Sequence, residues 1–109
     1  MNIEKKDNYT LVTPTETSLE LFLEALSIAD FEKENLILNF INTFDINTSQ
    51  VDSFSEISQH KKENGTSFII IVSNIDIDDL EDECMSVVPT LGEAEDTLEM
   101  DAIERDLGF

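Results

Sequence analysis

Basic residues are scarce in this chain: six Lys and Arg stand against 25 Asp and Glu, a formal charge of −19 over 109 residues. Such a surface repels nucleic-acid phosphates and anionic lipid, so neither nucleic acid nor membrane is expected as a partner, and basic proteins or divalent cations are favoured instead. Cysteine is limited to Cys84. No intrachain disulfide framework and no cysteine pair for zinc can form, and a reduced, cytoplasmic setting is the simplest expectation. His60 is the sole histidine, too few for a metal triad or a nucleophile–base pair without partners; at the end of a helix its expected role is to complement the dipole. Three glycines are not gathered into a phosphate-cradling loop. No apolar run has the length of a membrane span, and Met1-Asn2-Ile3-Glu4-Lys5-Lys6 lacks the apolar stretch of a signal peptide. Without that signal the glycosylation patterns at Asn8, Asn47 and Asn64 read as coincidental. No catalytic residues, metal or cofactor are therefore expected, and no carboxylate pair stands out from the acidic background as a magnesium site.

What the chain does have is 40% hydrophobic residues, enough for a core of its own, and a length that fits one domain. Two largely apolar runs, Leu36-Ile37-Leu38-Asn39-Phe40-Ile41 and the mostly β-branched Phe68-Ile69-Ile70-Ile71-Val72, flank one amphipathic stretch. Near-continuous apolar strands are covered on both faces, so this unit predicts parallel central strands joined by a crossover helix: an α/β fold with a mixed, largely parallel sheet and covering helices.

Around that unit the pattern is regular. Ile3 to Lys5 and Tyr9 to Val12 predict a hairpin turning at Asp7-Asn8. Pro14 ends the second strand, and Thr17-Ser18-Leu19-Glu20 reads as a capping box opening a helix to about Ala29, with Leu19, Phe22, Leu23 and Leu26 inward. A second helix is expected from Thr48 or Ser49, with Val51 and Phe54 inward and Ile57 near the edge of that face. It ends at Asn64-Gly65, with His60, Lys61 and Lys62 complementing its dipole. Thr48 is expected to cap it. The acidic run from Asp76 to Glu83 fails the EF-hand pattern, because Glu81 and Val87 stand where glycine and glutamate are needed. Ile77 and Leu80 instead suggest a short element laid on the sheet, with Cys84 beyond it as a packed or partly exposed thiol. Met85-Ser86-Val87-Val88 predicts a last strand ended by Pro89. Thr90-Leu91-Gly92-Glu93 is a further capping box, opening a helix with Leu91, Ala94 and Leu98 inward and Glu93, Glu95, Asp96, Glu99 and Asp101 in solvent.

This order of elements resembles the STAS domain, found in bacterial anti-sigma-factor antagonists and in the cytoplasmic tails of sulfate transporters. In that family the first apolar strand leads into a loop ending Asp-Ser-Ser/Thr-Gly-Leu, then a helix, a glycine-containing linker and another apolar strand; here the loop reads Ile46-Asn47-Thr48-Ser49-Gln50-Val51. By position Asn47 replaces the aspartate, Thr48 falls on the hydroxyl that partner kinases phosphorylate, Ser49 falls on the next hydroxyl, and Gln50 replaces the glycine. The resemblance implies a non-enzymatic, regulatory protein–protein interaction domain. It makes Thr48 and Ser49 candidate phosphorylation sites, and Asn47, Thr48, Ser49, Gln50, Asp52 and Ser53 the partner-binding surface toward a kinase-type regulator or a basic protein.

Residues 1–98 are assigned to this domain. Residues 99–109 form an acidic-apolar extension of the last helix, where Met100, Ile103, Leu107 and Phe109 are expected either to pack back onto the body, the commoner outcome, or to dock in a partner's groove. Residues 76–109 hold 13 acids and the single Arg105, so this end carries the strongest negative field. The competing functional reading is an acidic decoy or inhibitor that binds a basic protein by charge.

Overall fold

The two apolar runs form the central strands, and the rest of the molecule is arranged to cover them. The computed structural model describes all residues except Ala29, Asp30, Glu32, Asn42, Asn74, Asp76, Ile77, Asp79, residues 81–84 and Phe109. In chain order the elements are β1 (Asn2–Lys5), β2 (Thr10–Thr13), α1 (Leu19–Ile28), β3 (Leu36–Asn39), α2 (Thr48–Asp52), α3 (Ser55–Glu63), β4 (Phe68–Ile71), β5 (Ser86–Val88) and α4 (Leu91–Asp106). The sheet runs β1-β2-β3-β4-β5. The β1–β2 hairpin is antiparallel, with Asn2 opposite Thr13, and every later pair is parallel, with Leu36 opposite Phe68 and Ile69 opposite Ser86. The α/β class with parallel central strands is thus the observed one.

Side-chain alternation divides the core in two. Val12, Leu36, Leu38, Phe68, Ile70 and Val87 face the layer that holds Phe22, Leu26, Val51 and Phe54. Leu11, Ile37, Ile69 and Ile71 face the other side, where Ala94 and Leu98 of α4 cover them. Leu80 and Met85, from the connection into β5, join the first cluster. Successive parallel strands step in one direction across the sheet and the described residues of their crossovers pack on one face, as a single crossover handedness requires. Only α4, which follows the last strand, is free to cover the opposite face.

Several expectations are refined. The first helix is capped by Ser18, whose Oγ accepts from the Leu21 amide at 3.4 Å, and not by the Thr17 box. The single helix expected after residue 48 is two: the chain turns at Ser53-Phe54, where the Ser53 hydroxyl donates to the Gln50 carbonyl and competes with the helical ladder. Gly65 takes the expected left-handed conformation, φ +76°. In the acidic run, Leu80 is buried as expected; Ile77, Cys84 and the end of the first helix at Ala29 lie outside the described residues.

Lys61 shows a role that dipole complementarity does not capture. It is buried, and its ammonium reaches across from α3 to donate to the carbonyls of Phe31 and Glu34 (2.7 Å to the latter), tying down the turn that leads into β3. Lys61→Met leaves those carbonyls without this donor in a water-poor site, so it is expected to cost about 1–3 kcal/mol. Lys62→Met, at an exposed position, should stay within about 0.5 kcal/mol. Urea unfolding of the two variants checks the difference.

Candidate functional site

The loop after β3 is built on phenylalanine. Phe40 ends the strand and stands edge-on to Phe22 of α1, 5.6 Å between ring centroids; Phe44 packs 5.8 Å from Phe40, Phe54 lies 5.7 Å from it, and Phe68 of β4 closes the chain 6.1 Å from Phe54. Edge-to-face and tilted pairs at these distances add to the burial energy of the rings. They lock the loop to α1, to the α2–α3 joint and to β4 at once. Backbone turning at the strand end is satisfied locally: the Asn39 carboxamide accepts from the Ile41 amide at 3.0 Å, and the Thr43 hydroxyl donates to the Phe40 carbonyl at 3.0 Å.

On this base stands α2. Its cap is Asn47 and not Thr48, which corrects the expectation. The Asn47 carboxamide oxygen accepts from the Gln50 amide at 2.9 Å, while the Gln50 side-chain oxygen accepts from the Asn47 amide at 2.9 Å, a reciprocal capping box. Ile46 before the cap and Val51 four residues after it are both buried in the same cluster, at the positions of a hydrophobic staple. Thr48 is the first helical residue. Asparagine caps at least as well as threonine, so the signal for this cap is present in the sequence as Ile46-Asn47 and Gln50-Val51.

The expected partner-binding residues form one surface. Asn47, Ser49 and Ser53 are exposed, while Thr48, Gln50 and Asp52 are half-buried. Of the two candidate phosphorylation sites Ser49 is therefore the accessible one. The surface lies beyond the carboxyl end of β3, where open α/β sheets present their ligand loops. Among the described residues no three His, Cys, Asp or Glu side chains converge as a metal site requires.

Charge is segregated along the strand direction, which sequence order does not reveal. All six basic side chains lie at the amino end of the parallel strands. Lys5 pairs with Glu34 at 3.2 Å and Lys6 with Glu4 at 3.3 Å; Lys33 lines a shallow hollow with them. Lys61 holds the turn before β3. Lys62 borders a groove of about 380 Å³ at the start of β4, into which Arg105 also reaches. There the Ser67 hydroxyl accepts from Arg105 Nη2 at 2.7 Å and donates to Asp101 Oδ2 at 2.9 Å, so Asp101 is half-buried rather than in solvent.

The loop end, by contrast, carries Glu16, Glu20, Asp45, Asp52 and Glu93 and no Lys, Arg or His side chain. Its one cation is the terminal ammonium of Met1, 2.7 Å from Glu16, whose hydrogen bond holds that carboxyl below its ordinary range. No protein-family model and no curated protein matches this chain.

Because Asn47 satisfies the orphan amide, Asn47→Ala is expected to cost about 1 kcal/mol and Asn47→Asp to be tolerated, the carboxylate being favoured by the helix dipole. Thr48→Ala, in contrast, should fall within about 0.5 kcal/mol of the parent. Thermal or chemical unfolding of the three variants gives the ranking.

Proposed function

We propose that this chain is a non-enzymatic, STAS-like regulatory domain that binds a protein partner through the surface of Asn47, Thr48, Ser49, Gln50, Asp52 and Ser53, in a cytoplasmic setting. The observation that carries the reading is a short polar ridge, exposed at Asn47, Ser49 and Ser53, on a base held by buried Ile46, Val51 and Phe54. Rigid mounting lowers the ordering cost of docking, which is what a recognition surface needs. The reading is supported by the order of elements and by the position of the ridge after β3, on which the resemblance to the STAS domain rests; the anti-sigma-factor antagonist is its sharper form. A phosphate on Ser49 would add roughly two negative charges to an end already without basic side chains, and would oppose any acidic or apolar partner face.

The segregation of all basic side chains to the far end favours a second reading, an acidic decoy that engages a basic protein by field alone. The two readings differ in their response to salt: exposed charge pairs are screened within about 10 Å at moderate ionic strength, whereas a packed surface is not.

Affinity capture with the immobilised chain from a lysate of its source organism, at low and high salt, separates them. A partner retained at high salt and lost with Ser49→Arg is the expected result. Capture that collapses with salt and is indifferent to Ser49→Arg supports the decoy.

A further inference from the structure

The last helix has two apolar faces, and the fold uses one. At 100° per residue Ala94 and Leu98 point to the sheet and are buried. Met100, Ile103 and Leu107 fall on the opposite side, in one stripe at i, i+3 and i+7, and are 61%, 52% and 66% exposed. These three therefore do not show the expected packing onto the body; Phe109, the fourth member of the expected stripe, lies outside the described residues. Isolated apolar side chains on a surface are ordinary, but three aligned on two turns of one helix form a face with the spacing by which helices anchor in grooves.

The helix is also longer than the sheet beneath it. Its 16 residues span about 24 Å, against about 13 Å for a four-residue strand such as β4. The contacts of Asp101 and Arg105 with Ser67 sit just before the start of β4, so the turns bearing Ile103 and Leu107 reach past the sheet's end.

The charges around the stripe select its occupant. Asp96 continues the stripe one turn earlier, Glu99 and Asp106 run along one side, Glu104 along the other, and all four are exposed. The helix's one cation, Arg105, is turned away to the Ser67 hydroxyl. A second copy of this chain would bring these acids against their own counterparts, and an anionic membrane would be repelled.

We propose that the outer face of α4 is a docking surface for a basic amphipathic helix of a partner protein, whose apolar stripe covers Met100, Ile103 and Leu107 while its flanking Lys and Arg meet the acidic rim. This is a second surface, independent of the loop around Asn47. Burial of three large side chains supplies the affinity and the rim supplies orientation and rate.

The probe is a fluorescein-labelled peptide of about 18 residues, with Leu at i, i+3, i+4 and i+7 positions and Lys elsewhere, beside a scrambled isomer of the same composition without a stripe. Anisotropy with the full chain should give saturable binding to the striped peptide. Binding should weaken by about tenfold or more for the scrambled isomer and for the Ile103→Ser/Leu107→Ser double variant, with amide shift changes centred on residues 100–107. Both substituted positions are exposed, so unchanged circular dichroism verifies that the variant is folded. Equal binding of the two peptides, or binding indifferent to the double substitution, would overturn the proposal in favour of general attraction to a polyanion. Sedimentation showing a dimer that dissociates in the double variant would overturn it in favour of a second copy as the occupant.

Discussion

Burial of β3 and β4 on both faces is the constraint on which the molecule turns. Leu36, Ile37 and Leu38, with Ile69, Ile70 and Ile71, are each at most 2% exposed, and a fully buried aliphatic side chain contributes about 1.5–3 kcal/mol relative to an exposed one. Two layers are needed to achieve that. The described parts of the crossovers supply the first; the second comes from outside the βαβ units, and α4 is the only described helix on that side. The sheet's edges are left thin: β1 is exposed along its length and carries Glu4 and Lys5, while β5 has only three residues. Charge and shortness both discourage edge pairing with another chain.

The same topology organises the electrostatics. Helices that return antiparallel to the strands end at the amino end of the sheet, where their partial negative charge attracts cations, and begin at the carboxyl end, where it is positive. Lys61, Lys62 and Arg105 fall in last turns, and Glu20, Glu56 and Glu93 in first turns. Each placement stabilises a helix by only some tenths of a kcal/mol when exposed, yet repeated over the fold it divides the surface. With six basic residues in all, the loop end is left strongly acidic apart from the terminal ammonium.

Two surfaces of different character result. Around Asn47 the exposed groups are polar and short, on a base of five linked phenylalanines, and recognition there would depend on shape and hydrogen bonds. On α4 the exposed groups are large and apolar within an acidic rim, and recognition would depend on burial with charge as a guide. The two proposed surfaces therefore call for partners of different chemistry.

Periodicity and local chemistry carried much of the fold. The uninterrupted apolar runs required strands buried on both faces, the βαβ spacing required parallel pairing, Asn64-Gly65 closed the helix, and Thr90 opened the last one, its hydroxyl accepting from the Glu93 amide at 3.2 Å. The position of Asn47 to Ser53 beyond the end of β3 followed as well, because strand ends are local features. What sequence order did not contain were the choices made by groups distant in the chain. Lys61 became a buried clamp because β3's approach leaves the Phe31 and Glu34 carbonyls beside it, 27 to 30 residues away. Asp101 left solvent because Ser67 stands opposite it. Met100, Ile103 and Leu107 stayed exposed because Ala94 and Leu98, on the other side of α4, are the residues turned to the sheet. A hydrophobic pattern states which side chains favour burial; only the tertiary arrangement, through the finite extent of the surface available, decides which of them obtain it.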